Sequence, residues 1–552
     1  MSAKDETQQK SQGRSALGSA ATLMVFATLA SSITGVVRTM VYAHAFGDSD
    51  AFEAFTQAFR IPDLFYFLIA GGALRTGFIP VFTEYLVAGE TAKAWRTFRV
   101  TLLVLLVLGA GVVALGMWQA PLLARHAVGS GLKPEYQDLC AKLMRAMLPA
   151  QFFFIIGGLF MGTLNALKHF KTPAAGPIVY NLVIIGGALA SLPIARHAGL
   201  YEPGPDQLGY RLWCLSMFVV LGAAVGSVFI QIPPLMKLGA KLTPAYDLGD
   251  EGLKKLALLA APVVAGLAVS EINFVIVSNF ATTAEGAQYL EYPNRILKLP
   301  PRMFGAAIAI ALFPTLATHF ANGNMAAYCK DLARTMRAVL LLSIPSAVAC
   351  ACLAVPIMRL LFERGAFGPQ ATTLTAAWVF WGSFGIAPLS LQYVVARGFY
   401  ALHETKVPLW VGIAAALLNV SLAAIVVDHY GNAGLSAVYS FSTLFTAVML
   451  TWLLRTRVGP LEGRRMVVML GKVAVACVAM GAACWYGAAW LESLVGTDTL
   501  WDNALVCLVP LAAGVATFLA LCVILKVEDL QTAINLVASR FRRRSAGPNS
   551  KT

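Results

Sequence analysis

Apolar stretches of about twenty residues recur along nearly the whole chain, the length that a hydrocarbon core of roughly 30 Å demands of each spanning helix. About fourteen are legible, with cores near 17–45, 51–72 (running on to 88), 97–121, 139–167, 174–195, 211–236, 253–280, 288–318, 335–361, 373–401, 408–427, 432–454, 466–490 and 501–526. Within lipid each segment must satisfy its own backbone polar groups, so the expected fold class is an all-α polytopic membrane protein. Composition agrees: 13% of the 552 residues are charged, 58% are hydrophobic and the mean hydropathy is +0.70. Soluble proteins carry about a quarter charged residues. The first run is too long for a cleaved signal peptide and contains Arg38, so it is expected to remain as the first helix.

The formal charge of +14 invites a nucleic-acid reading, and the distribution of the charges argues against it. With a cytoplasmic N-terminus, about 28 of the 42 Lys and Arg fall in cytoplasmic loops and tails, about 6 in outer loops and about 8 in helices. That asymmetry is the positive-inside pattern, with both termini cytoplasmic. The tail "RFRRRS", Arg540 to Ser545, fits an anionic lipid surface rather than nucleic acid. The nine cysteines are scattered, mostly in apolar helices and without a CxxC pair, and read as small core residues.

The chain also repeats itself. "NALKHFKTP" from Asn165 matches "YALHETKVP" from Tyr400, an offset of 235 (400 − 165). "RIPDLFYFLIAGGALRTGFIPVFTEYLVAG" from Arg60 resembles "RILKLPPRMFGAAIAIALFPTLATHFANG" from Arg295 at the same offset (295 − 60). A period holding six helices, an even number, gives both copies the same orientation, so two parallel six-helix halves around a central cavity are expected. The resulting divisions are an N-terminal tail 1–16, halves at 17–237 and 252–456, two additional helices at 464–526, and a basic tail 527–552.

A charge at the centre of a spanning helix costs about 2.5–3.5 kcal/mol on insertion scales, so such residues mark a cavity or a partner. Arg38 lies in the first segment, Arg60, Asp63 and Arg75 in the second, Lys142 and Arg145 early in the fourth, and Arg295, Lys298 and Arg302 in the eighth. The last three stand at i, i+3 and i+7, along one helical face. Pro300 and Pro301 follow and are expected to break that helix. Ion pairing competes as an explanation for single residues: Arg295 with Glu291 or Glu271, Arg60 with Asp63, and Arg302 or Arg75 snorkelling to an interface. As a set the cations outnumber the acids at similar depth, which points to an anionic ligand. Arginine forks suit phosphate, and a cluster suits a diphosphate.

No glycine loop of the Walker type is present, so energy from an ion gradient, the membrane potential or the substrate's own gradient is expected rather than ATP hydrolysis by this chain. His44, His126, His169, His197, His319, His403 and His429 lie near helix ends or in loops and form no HExxH motif. Neither catalytic residues nor a cofactor or metal is expected. Asn273, Asn419 and Asp428 are candidates for a cation site, with a structural role equally open for each.

"GVVR" ending at Arg38, "AFEAFTQAFRIPDLF", "FIPVFTEY", "NRILKLPPRMFGAAIAIALFPTLA", "LFERGAF" at 361–367 and "RGFYALHETKVP" at 397–408 together resemble the bacterial lipid II flippases of the MurJ (MviN) type, within the multidrug/oligosaccharidyl-lipid/polysaccharide exporter superfamily. The resemblance spans about residues 17–530. It implies a fourteen-helix inner-membrane transporter that carries the undecaprenyl-diphosphate-linked peptidoglycan precursor from the cytoplasmic to the periplasmic leaflet. It also implies that Arg38 and Arg295, with Arg60 at a position often basic, line a cavity for the headgroup, and that Leu505 to Leu525 and its partner helix from about 466 form a groove for the lipid tail. Membrane lipids and cell-wall synthesis proteins are the further partners implied.

The sequence departs from the family pattern at Ser32, Thr39, Tyr66, Gly71, Asn294 and Lys298, where relatives often carry charged residues, and Arg75 and Lys298 restore positive charge from new positions. The substrate-binding set expected is therefore Arg38, Arg60, Arg75, Arg295, Lys298 and Arg302. Alternating access, with the membrane potential helping an emptied cationic cavity to reset, is the mechanism expected. An exporter of another lipid-linked glycan or anionic compound, and a non-transporting membrane scaffold of cell-wall synthesis, are the alternatives.

Overall fold

The computed structural model describes residue 27 and residues 30–202, 204–247 and 249–530. The N-terminal tail and "RFRRRS" lie outside these. Every regular element among the described residues is helical, as the run of apolar segments requires. Among the described residues ten helices are long and apolar enough to cross a membrane, or eleven if Pro369–Ser383 and Ile386–Ala401, bent by 44°, count as one span.

Three features separate that count from the expected number. Lys406–Val458 is a single helical run in which Gly431 (φ 54°, ψ −144°) makes a kink, and it houses both the 408–427 and 432–454 segments. The first segment begins outside the described residues and is helical over 30–46. The second is broken into Asp50–Ala58, Arg60–Tyr66, a π-helical Phe67–Phe78 and Ile79–Val87.

By packing the chain divides into two units. The first comprises the described residues as far as Gln288 together with Arg364–Phe367; the second comprises Tyr289–Glu363 and the described residues from Gly368. The first unit thus includes the Glu251–Thr282 helix beside the elements of the 17–237 half. Its core gathers Phe78, Phe82, Phe98, Leu159 and Phe160, all buried.

The second unit has two cores. One joins Leu316, Tyr328, Leu332, Phe399 and Leu454; the other packs Gly463–Val495 and Leu500–Ile524 against Met325–Cys352 through Leu341, Val473, Cys477, Met480 and Phe518. Ion pairs hold both ends of that added helix pair. The Arg337 side chain, 9% exposed, donates to Glu462 at 2.5 Å and to both oxygens of Asp529 at 3.1 and 3.3 Å, and Arg359 donates to Glu492 at 2.8 Å. Six cysteines are buried and three half-buried, and all are free thiols, in keeping with their reading as core residues.

The repeat is visible in the backbone. Lys168 and His403, 235 positions apart, are both left-handed, at φ 59° and 61°. The residues around them close the same turn: His169 N–H donates to Leu164 C=O at 2.8 Å, and Glu404 N–H to Phe399 C=O at 3.0 Å.

Candidate functional site

In the first unit the initial helix is held to Lys171–His197 by Asn181, whose amide donates to Thr34 Oγ1 at 3.1 Å and to the Ser31 carbonyl at 3.3 Å. One turn on, this register sets Arg38 between two aromatic faces. Its guanidinium carbon lies 5.7 Å from the Tyr42 ring centroid and 5.9 Å from that of Tyr180, within the range of a cation–π contact. The side chain is only half-buried. The negative faces of the two rings attract the cation electrostatically.

Arg60 is placed differently. It is 6% exposed, donates Nε to Ser278 Oγ at 3.0 Å and lies 4.7 Å from the Phe274 ring centroid. Ser278 in turn donates to Gln57 Oε1 at 3.0 Å, and Gln57 Nε2 donates to the Ser278 carbonyl at 2.8 Å. A turn earlier, Glu53 accepts the Ala287 N–H at 2.7 Å. These contacts fasten the Asp50–Tyr66 segment to the Glu251–Thr282 helix and the turn after it. Glu53, Gln57 and Ser278 escaped the sequence reading, although Glu53, Gln57 and Arg60 at i, i+4 and i+7 in an apolar run mark one polar face.

Arg75 falls within the π-helical Phe67–Phe78, and its side chain lies outside the described residues. Lys142 is exposed, and Arg145 donates to the Met117 carbonyl at 2.9 Å. Two of the family departures are accommodated by uncharged contacts: Thr39 is buried and donates to the Gly35 carbonyl at 3.0 Å, and the Tyr66 ring centroid lies 5.1 Å from that of Phe154.

In the second unit the break at the double proline is present. Gln288–Leu297 ends at a turn on Lys298, and Pro301–Ala306 is π-helical before Ala307–Ala321 resumes. Pro300 and Pro301 have no N–H to offer Ile296 and Leu297 four residues earlier, the local cause of the interruption. π-Helical turns gather at functional sites. This one overlaps the π-segment Phe67–Phe78 of the first repeat when shifted by 235.

Around the break, Arg295 pairs with Glu291, Nη2 to Oε1 at 2.8 Å and Nε to the same oxygen at 3.2 Å. Both side chains keep partial exposure, 37% and 22%. The ion pair weighed for Arg295 against a ligand role is therefore formed. Lys298 is half-buried and Arg302 exposed. Asn419 is buried and Asp428 exposed; nine residues apart (428 − 419) in one helical run, they face opposite ways, so they do not share a site. Asn273 belongs to the first unit. Among the described residues no group of three His, Cys, Asp or Glu is placed to hold a metal ion.

Residues 42–501 match the family described as lipid II flippase MurJ. The probable lipid II flippase MurJ of Rhizobium tropici is 31% identical over 443 residues, covering 77% of this chain and 80% of its own length. That of Vibrio cholerae is 29% identical over 525 residues, covering 92% and 96%. Among solved structures, a lipid II flippase MurJ in an inward closed conformation superposes with a TM-score of 0.73 at 20% identity, over 91% of this chain and 98% of that one. An inward-facing multidrug resistance transporter of the MATE family gives 0.67 at 15% identity, over 78% and 96%. At such identities these superpositions establish the fold, whereas the sequence match establishes the lineage: the chain belongs to the MurJ family of lipid II flippases.

Proposed function

We propose that this chain moves the lipid-linked peptidoglycan precursor, lipid II, from the cytoplasmic to the periplasmic leaflet of the bacterial inner membrane. The observation that carries the reading is the family match over 42–501, which contains the repeat and the cations Arg60, Arg75, Arg295, Lys298 and Arg302. The family is one of transporters, not enzymes, and its substrate is a lipid-linked precursor held in membrane lipid.

The mechanism we favour is alternating access. The headgroup enters from the cytoplasmic side, Arg38 and Arg295 hold its diphosphate with help from Lys298, Arg302 and Arg75, and the headgroup leaves on the other side while the tail stays in lipid. Arg60 belongs to the same proposed set, and its contacts with Ser278 and Phe274 favour a role in fixing the shape of the site over direct contact with substrate. A negative-inside potential, worth about 2.3 kcal/mol per charge per 100 mV, draws an emptied cationic site back toward the cytoplasm. Cytoplasmic termini and contacts with cell-wall synthesis proteins complete the proposal.

The test is to express the chain in bacteria depleted of their own flippase and to measure lipid II in each leaflet. Restored growth with precursor reaching the outer leaflet supports the reading. Continued accumulation on the inner leaflet, with the chain present in the membrane, refutes it and turns attention to another lipid-linked glycan or to a scaffold role.

A further inference from the structure

Lys171–His197 is long and apolar enough to span a bilayer, and its exposed face ends in charge. Leu182, Gly186, Leu189, Pro193 and Arg196 stand at i, i+4, i+7, i+11 and i+14, on one side of the helix, and all five are exposed. A Cβ on Gly186 would meet no atom within 4 Å, so the stripe is open at its middle. Where it ends, Leu192, Pro193, Arg196, His197 and Tyr201 line a hollow of about 270 Å³, apolar toward the middle of the helix and polar at its terminus.

Neither Arg196 nor His197 is committed to the fold. A basic side chain at a helix C-terminus often hydrogen-bonds the last carbonyls. Here the backbone does so: Ala198 N–H donates to the Ile194 carbonyl at 3.0 Å, Leu200 N–H to Ala195 at 3.1 Å and Gly199 N–H to Arg196 at 3.0 Å, with Gly199 left-handed at φ 85°. Gln207 Nε2 closes the turn by donating to the carbonyls of Leu200 and Tyr201 at 2.8 and 3.4 Å. Glu202 and Asp206 are the nearest acids in sequence, and among the described residues neither pairs with Arg196 or His197. Arg211, on the neighbouring Pro205–Ala223 helix, adds positive charge: it donates to Ser191 Oγ at 3.4 Å, five residues (196 − 191) before Arg196, and to the Ala45 carbonyl at 3.0 Å.

Aromatic side chains mark the depth. Tyr201 and Trp213 are exposed, and the Tyr210 ring centroid lies 6.0 Å from that of Trp213. Tyr and Trp gather at the level of lipid headgroups. An apolar stripe that leads to an arginine, an imidazole and a phenol at that level has the outline of one phospholipid, acyl chain below and phosphate above. No carboxylate lines the hollow to receive an ammonium, so an anionic headgroup fits it better than a zwitterionic one.

We propose that this hollow binds one anionic phospholipid, with its phosphate at Arg196 and His197 and an acyl chain along the stripe from Leu182 to Pro193. With the N-terminus cytoplasmic, as proposed above, the lipid belongs to the outer leaflet. Binding itself depends neither on that orientation nor on the transport reading.

The test is native mass spectrometry of the full chain in detergent, titrated with phosphatidylglycerol or with phosphatidylcholine of the same acyl chains. The unsubstituted chain is expected to bind its first phosphatidylglycerol about five- to tenfold more tightly than phosphatidylcholine. Arg196→Gln joined to His197→Gln should remove most of that preference, and Arg196→Lys should keep most of it. Both side chains are exposed and without a protein partner among the described residues, so the double variant should melt with the unsubstituted chain. Arg464→Gln, which removes an exposed arginine of the second unit, should leave the preference intact. An unchanged preference in the double variant overturns the proposal, and so does an equal loss in Arg464→Gln, which would make the effect one of net charge. Water-soluble glycerophosphoglycerol in large excess should fail to displace the lipid; displacement would assign the hollow to a free phosphodiester and overturn the acyl-chain path.

Discussion

Arg295 donates through two nitrogens to a single carboxylate oxygen of Glu291, one helical turn earlier, at 2.8 and 3.2 Å. The pair is partly exposed, so it is worth at most about 1 kcal/mol and can open toward a stronger anion. Glu291 therefore competes with a diphosphate for Arg295. Glu291→Gln is expected to tighten binding of undecaprenyl diphosphate by about two- to fivefold, and Arg295→Gln to weaken it. Native mass spectrometry of both variants measures this; weaker binding in Glu291→Gln would show the acid to be part of the recognition geometry.

Arg60 and Ser278 are predicted to act through stability first. Both are buried and joined at 3.0 Å, so Arg60→Gln and Ser278→Ala should each lower the melting temperature of the detergent-solubilised protein. The double variant should fall short of the sum by a coupling of about 0.5–3 kcal/mol, as contacting residues do. Strict additivity would show that the pair is not energetically linked.

The cluster at Arg337 gives the largest stability effect. Removing one partner of a buried ion network costs about 3–5 kcal/mol because the remaining charges lose their compensation. Arg337→Met, which leaves Glu462 and Asp529 facing one another's charge, should destabilise far more than Asp529→Asn, which leaves Arg337 paired with Glu462. Thermal unfolding followed by intrinsic fluorescence orders the two variants, and a reversed order would contradict the assignment.

Lys298 occupies a turn at the break in its helix, at a position where the family resemblance leads one to expect an acid. If it supplies positive charge to the headgroup site, Lys298→Gln should slow translocation while Lys298→Arg retains most of it. Equal rates for Lys298→Gln and the unsubstituted chain would remove it from the site.

Much of this was legible in the sequence. The apolar runs gave an all-helical membrane fold because lipid leaves so few alternatives, and the repeat at offset 235 reappears as matched left-handed residues at Lys168 and His403. The break at Pro300 and Pro301 followed from the missing N–H groups. Partners were harder to read. The contacts of Arg60 to Ser278 and Phe274 come from a helix some 220 residues on, which no local spacing encodes. Arg295 could have chosen Glu271 or Glu291, and the helical i, i+4 geometry settles it on Glu291. The kink at Gly431 depends on a single backbone conformation inside a continuous apolar stretch.

The account stands most directly on Arg38, set between the Tyr42 and Tyr180 rings and half-exposed. The deciding measurement is lipid II translocation in flippase-depleted cells carrying Arg38→Gln, with membrane levels of the chain matched to the unsubstituted form. Loss of translocation, with partial recovery in Arg38→Lys, is the predicted result. Translocation by Arg38→Gln at the unsubstituted rate would contradict a cationic headgroup site built around Arg38.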